Sequence, residues 1–293
     1  MEIGRASRTA LATAYARAYH QFSDEPRIFT DPLAVRILGV SPDQLDELGA
    51  ATLDQPGSND PRRRGRRYFL AARARYAEDV VARAVAAGSR QVVILGAGLD
   101  TFGYRNPYPG VRVFEVDHPD TQAWKRGMLA DSGIEIPDSV TFTPVDFETG
   151  TLAAGLDTAG FRRDEPAAFV WLGVVMYLTK DAIVDTLRFI AAQAEPVQVV
   201  ADYLSPGTTA EEREELRKRA ERLASLNEPF LSYLDPGELG ELLRSIGFDA
   251  VEQWTLPELI HQYVGGSPIP ELAAGSALVR IMCASRGEGL KID

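Results

Sequence analysis

Apolar positions along this chain fall into two alternating patterns. Between Arg66 and Ala87, Phe69, Ala72, Tyr76, Val80 and Ala84 recur at steps of three and four, which predicts a helix with one apolar stripe, stopped by Gly88. The run Gln91–Leu95 that follows is short, rich in β-branched residues and bounded by glycine, as a buried parallel strand is. Further strands are predicted at Val111–Val116, Val140–Val145, Ala168–Leu172, Val197–Tyr203, Phe248–Thr255 and Ala277–Ala284. Helical patterns, Pro119–Asp131 and Asp181–Ala194 among them, separate several of these. Seven strands in such alternation predict a doubly wound, Rossmann-like α/β sheet with helices on both faces.

Punctuation divides the rest of the chain. Residues 1–61 read as an N-terminal helical cap, with Asp31-Pro32 starting a short helix that Gly39 can end and a loop from Asp54 to Pro61. Residues 62–293 read as the main domain. After Ser205-Pro206-Gly207 the composition turns to Glu and Arg, and Leu216, Ala220 and Leu223 share one stripe behind a Thr209/Glu212 capping box. The segment 205–235 therefore reads as an insertion carrying an amphipathic helix, either a substrate lid or an ordinary solvated helix. Asp235-Pro236 starts another helix, ended by Gly247. The stretch Leu256–Ser276 is expected to be a long loop.

Composition narrows the partners. The chain has 293 residues, 45% hydrophobic, and a net charge of -11, which opposes binding to nucleic acid or anionic membrane. The basic run from Arg62 to Arg67 is either an anion patch or, as charge runs usually are, a solvated helix start. No apolar run approaches 18 residues, and Met1–Arg8 has no apolar stretch behind it, so neither a membrane span nor a signal peptide is expected. Cys283 is the single cysteine, which fits a cytoplasmic location, and the three histidines lack metal-ligand spacing, so no metal is expected.

The chemistry concentrates after the first strand, at Leu95-Gly96-Ala97-Gly98-Leu99-Asp100-Thr101. Glycines there let the backbone turn tightly beside a ligand. Asp117, at the end of the second strand and 19 residues after Gly98, stands where an acidic side chain meets ribose hydroxyls, or else caps the helix at Pro119. A dinucleotide fingerprint would carry a small residue where Thr101 stands, and Pro107 and Pro109 shorten the first crossover helix. Asp100 adds a negative charge that repels pyrophosphate and suits the cationic sulfonium of S-adenosylmethionine. Asp146, after the third strand, can accept from an adenine amino group, with Phe147 beside it.

In this order, Ala72-Arg73-Ala74-Arg75-Tyr76, the Leu95–Thr101 loop, Phe114–Pro119, Val145-Asp146-Phe147 and Val175-Met176-Tyr177-Leu178 resemble the leucine carboxyl methyltransferase family, including its bacterial small-molecule and polyketide O-methyltransferases. The resemblance runs over about 30–285. It implies an antiparallel last strand, S-adenosylmethionine as methyl donor with S-adenosylhomocysteine as product, and Arg73 (or Arg75) on the cofactor's methionine carboxylate. It further implies that Gly96, Ala97 and Gly98 line the methionine chain, that Asp117 takes the ribose and that Asp146 takes the adenine. One position departs: where the family carries a cofactor-contacting Glu after the fourth strand, Leu172 stands here, and backbone carbonyls near Gly96 are expected to serve the ammonium group.

The expected reaction is O-methylation of a small-molecule carboxylate or phenolic hydroxyl. A carboxylate needs no base, and no Asp-His or Lys base stands out. Tyr177 and Tyr203, after the fourth and fifth strands, could orient the acceptor, and His261 is the candidate base. Two alternatives carry forward: a cofactor-binding protein that has lost activity, motivated by Leu172, and an NAD-dependent oxidoreductase.

Overall fold

The computed structural model describes residues 8–53, 61–146, 150–224, 229–266 and 276–287. Its seven strands are β1 (Gln91–Leu95), β2 (Arg112–Asp117), β3 (Val140–Pro144), β4 (Ala167–Trp171), β5 (Val197–Leu204), β6 (Ala250–Thr255) and β7 (Val279–Arg286). They form one sheet in the order β3-β2-β1-β4-β5-β7-β6. β1 pairs in parallel with β2 and β4, β2 with β3, and β4 with β5, while β7 runs antiparallel to both β5 and β6. The seven-stranded, Rossmann-like architecture with its antiparallel last strand is thus as expected, and each strand starts within two residues of its sequence-predicted position. The central strands are mostly apolar because both faces are covered. In β1, Val92 and Ile94 face one layer and Val93 and Leu95 the other.

The helices are α1 (Arg8–Ser23), α2 (Pro32–Ile37), α3 (Leu45–Leu53), α4 (Pro61–Ala86), α5 (Phe102–Arg105), α6 (Pro119–Asp131), α7 (Leu152–Thr158), α8 (Lys180–Ala191), α9 (Ala210–Ala224), α10 (Pro236–Ser245) and α11 (Leu256–Val264). On one face Ala72, Tyr76, Val80 and Ala84 of α4 pack with Leu256, Leu259, Ile260 and Val264 of α11. On the other, α7, α8 and α10 bury Leu156, Leu187 and Leu243. The helices α1, α2 and α3 form a separate apolar cluster that takes in Leu99 of the glycine loop and Leu129 of α6.

Local chemistry sets the boundaries. Asp31 accepts from the Leu33 and Ala34 N–H groups and starts α2. Pro107 and Pro109 hold α5 to four residues, as expected. The Thr209/Glu212 capping box forms at the start of α9, and Leu216 is buried. Two arginines of the basic run in α4 have structural partners: Arg67 forms a buried pair with Asp24 at 2.7 Å, and Arg64 donates to the Glu25 carbonyl.

One segment differs from expectation. The stretch after β6 is not a plain loop but begins with α11, whose Thr255/Glu258 capping box and buried Leu256, Leu259, Ile260 and Val264 are a full amphipathic signature. The glycines and prolines beyond Val264 obscure that helix when the stretch is read as one unit. Most of the loop expected at 54–61, and Phe147, lie outside the described residues. No helix of the described residues is long and apolar enough to cross a membrane.

Candidate active site

The sheet order reverses direction between β1 and β4, so a crevice opens where the chain leaves these two strands. On the β1 side Gly96 and Gly98 both have positive φ, 67° and 40°. The Gly96 and Ala97 N–H groups donate to the Val116 carbonyl, and Gly98 N–H donates to Asp117 Oδ2 at 2.7 Å. Space is tight here: a Cβ on Gly96 would lie 2.3 Å from Val174 Cγ2, and one on Gly98 would lie 3.1 Å from Ala10 Cβ in α1. The loop therefore sits between the end of β4 and the N-terminal helices.

Asp117 serves two elements. Its Oδ1 accepts from His118 N–H at 2.7 Å, so it borders α6, while the side-chain cap of α6 is His118 itself, whose Nδ1 accepts from Asp120 N–H. Burial pushes the Asp117 carboxyl above its ordinary range, against the opposing pull of those two backbone donors. The Val145 N–H donates to the Asp117 carbonyl, which sets Asp146 beside it at the adjoining strand end.

Asp100 lies at the end of the glycine loop. Its Oδ1 accepts from Phe102 N–H at 2.8 Å, so a carboxylate already occupies the N-terminus of α5 where a pyrophosphate would sit. With Asp117 and Asp146 nearby, the crevice is acidic, which matches a cationic ligand without phosphates.

On the β4 side the site is built from two strands and one helix. Arg73 of α4 is buried and its Nη1 donates to Asp202 Oδ2 at 2.5 Å. Asp202 Oδ1 accepts from Gly173 N–H, also at 2.5 Å. Arg73 further stacks on Phe69. Arg75 instead pairs with Asp79 on the exposed side of α4, away from the crevice. Leu172 packs into the apolar layer under α4.

Comparisons with known proteins agree with this geometry. Residues 10–191 match the family model described as leucine carboxyl methyltransferase. A Bacillus subtilis protein named "Putative S-adenosyl-L-methionine-dependent methyltransferase YktD" is 32% identical over 270 residues, spanning 84% of this chain and 88% of that one. The chain belongs to the leucine carboxyl methyltransferase family. A similarly named Mycobacterium tuberculosis protein is 31% identical over 283 residues, covering 89% of this chain and 88% of its own length. The fold is shared with a Thermobifida fusca crystal structure described as a methyltransferase, at a TM-score of 0.57 and 17% identity, over 92% of this chain and 94% of that one. The protein is accordingly an S-adenosylmethionine-dependent methyltransferase of this family.

Within this family member the crevice brings together Arg73, Gly96, Ala97, Gly98, Asp117, Asp146 and Leu172, all at or beside the C-terminal ends of β1 to β4. Tyr177 joins them from the turn after β4, where its ring lies 5.7 Å from that of Phe230. The segment carrying Phe230 is tied to that turn by Leu231 N–H donating to the Met176 carbonyl and by Ser232 Oγ donating to the Val175 carbonyl. Phe69, Tyr177, Phe230 and Tyr233 gather around Met176, Leu204 and Val279.

Tyr203 and His261 are placed elsewhere. Tyr203 points to the sheet face opposite Asp202 and donates its hydroxyl to Gln253, and burial raises its pKa. His261 lies on the exposed side of α11, away from its buried stripe. Asp202, Phe230 and Tyr233 were not singled out from the sequence. Asp202 carried a signal, since it is an acidic residue in a strand that is apolar apart from Gln198.

A second group, in which Arg17, Arg105 and Glu78 were not singled out from the sequence, ties α1 to the glycine loop. Arg17 donates to the Leu99 carbonyl at 2.8 Å and to Asp31 Oδ2 at 3.0 Å. Thr101 Oγ1 donates to that same Asp31 oxygen at 2.7 Å, and Arg105 completes the group through Glu78 at 2.9 Å. Burial alone would raise the Asp31 carboxyl, but Arg17, Arg105 and Thr101 outweigh it and hold it below its ordinary range.

Proposed function

We propose that this methyltransferase acts on an oxygen of a small-molecule carboxylate or phenolic hydroxyl. The observation that carries the reading is the aromatic wall of Phe69, Tyr177, Phe230 and Tyr233, adjoining Arg73 at the ends of β4 and β5. Such a wall suits a flat, largely apolar acceptor and provides few charged groups to a peptide.

In this reading Arg73 holds the carboxylate of the cofactor's methionine end through paired N–H groups. Gly96, Ala97 and Gly98 let the backbone run against the methionine chain. Asp117 accepts from the ribose hydroxyls, and Asp146 accepts from the adenine amino group. Leu172 contributes apolar surface. When bound, S-adenosylmethionine supplies a methyl group on a cationic sulfur. The chain's part is to hold the acceptor oxygen in line with that methyl and to exclude water, and positioning of this kind can supply several kcal/mol. Tyr177 orients the acceptor.

The proton inventory supports an acceptor that is already ionised. His118 uses its Nδ1 to cap α6, and His20 is buried beside Asp24. His261 is the remaining histidine and stands exposed on α11. A carboxylate or an acidic phenol needs no base.

The test is to incubate the protein with S-adenosylmethionine and a panel of aromatic and aliphatic acids, phenols and amines, and to read methyl transfer by mass spectrometry. Products are expected among the acids or phenols, with alkaline hydrolysis separating labile methyl esters from stable aryl ethers. Methyl transfer to amines or to proteins, with none to acids or phenols, would overturn the reading.

A further inference from the structure

We propose that Asp202 replaces the carboxylate absent from the end of β4, as the positioning residue that sets Arg73 for the amino-acid end of the cofactor. The proposal rests on the cofactor-binding reading given above for Arg73.

Sheet register carries the argument. Trp171 of β4 is the partner of Ala201 in β5, so the next residues, Leu172 and Asp202, are cross-strand neighbours. Side chains alternate along strands. Trp171 and Ala201 belong to one layer, while Val170, Leu172 and Val200 belong to the layer under α4. Asp202 therefore emerges on the same face as Leu172, one strand spacing away, about 4.8 Å. A carboxylate has been moved sideways by one strand rather than lost.

Its surroundings are those of a positioning group. Asp202 is fully buried, at 0% exposure, where an unpaired carboxylate would be costly. The Arg73 Nη1 and Gly173 N–H groups each take one of its oxygens. Gly173 has φ 74°, and a Cβ there would lie 3.3 Å from Arg73 Nη1, so glycine at this position leaves the guanidinium its place. Anchored by Nη1, the planar guanidinium keeps a second edge, Nε and Nη2, that hydrogen-bonds to no described residue and matches a carboxylate bidentately. Apolar Leu172 also fits this arrangement. A Glu there would set two carboxylates side by side, and like charges so placed resist joint ionisation.

The experiment is calorimetric titration of the full chain with S-adenosylhomocysteine and with methylthioadenosine, which shares the adenosine and sulfur but lacks the amino-acid end. Asp202→Asn is expected to weaken S-adenosylhomocysteine by about tenfold or more while methylthioadenosine stays within about twofold. The double variant L172E/D202N is expected to recover most of the lost affinity, a rescue that a merely structural role for Asp202 would not give. Equal weakening of both ligands, or an unchanged affinity for S-adenosylhomocysteine, would overturn the proposal. A wild-type chain that binds methylthioadenosine but gains nothing from the amino-acid end would overturn it too. A wild-type chain that binds neither ligand would instead remove the cofactor reading beneath it.

Discussion

The Gly98 N–H donates to Asp117 Oδ2 at 2.7 Å and so fastens the glycine loop to the end of β2. The same carboxylate takes the His118 N–H on its other oxygen. Two residues 19 apart in sequence are thereby joined at the ends of β1 and β2.

Asp117→Asn keeps the shape but removes the charge. Cofactor affinity is expected to fall about tenfold to a hundredfold, the usual effect of losing hydrogen bonds to a charged acceptor. A pH signature accompanies it. Burial raises the folded-state pKa of Asp117 above the ordinary 3.8. Its stabilising contribution is then fully present below 3.8 and is lost as pH rises through the folded-state value. Thermal melts from about pH 3 to about pH 7 should show the wild type losing stability relative to Asp117→Asn across the acid range, then running parallel to it.

Asp31 has the opposite sign. Arg17, Arg105 and Thr101 hold its carboxyl below 3.8 despite burial, so the stability it confers is present above 3.8 and is lost as pH falls through the lower, folded-state value. Asp31→Asn would leave two arginines facing a neutral amide and is expected to cost about 3 kcal/mol or more. Because Arg17 also holds the Leu99 carbonyl, the loss should appear as faster hydrogen exchange in α1 and in the glycine loop together.

Gly96 tests the fit between β1 and β4. Alanine there meets Val174 Cγ2 at 2.3 Å and must also adopt φ 67°. The overpacking is expected to cost about 1–3 kcal/mol. Adding Val174→Ala removes the clash but not the backbone strain, so the double variant should recover only part of the loss and remain about 1–2 kcal/mol less stable at this residue. Urea denaturation of both variants measures the split.

The strands and the glycine loop were legible because their signals are local. A strand buried on both faces is mostly apolar, and β1 needs no distant information to be found. The role of Asp202 was not legible, because it depends on Trp171 pairing with Ala201, thirty residues apart in the chain. The same holds for Arg17, whose carbonyl partner on Leu99 lies 82 residues away. The helix α11 is a different case. Its capping box and apolar stripe were present in the sequence, and the glycines that follow it masked a local signal.

The three candidate acceptor-side residues separate cleanly by experiment. Tyr203 donates to Gln253 from a buried position, so Tyr203→Phe leaves Gln253 without that donor and is expected to cost about 1–2 kcal/mol of stability. Its ring faces away from the crevice, and methyl transfer by the folded fraction should be unchanged. Tyr177 stacks with Phe230 in the aromatic wall, and phenylalanine preserves that packing. Tyr177→Phe should therefore lose kcat/KM by about tenfold or more, as removal of one positioning hydrogen bond does. His261 is exposed on α11, and His261→Ala should leave both quantities unchanged if the acceptor enters already ionised. A pH–rate profile in that variant is the sharper reading. A profile that differs from that of the wild type would show that His261 takes the acceptor's proton after all, and would shift the expected acceptor from a carboxylate toward a phenol.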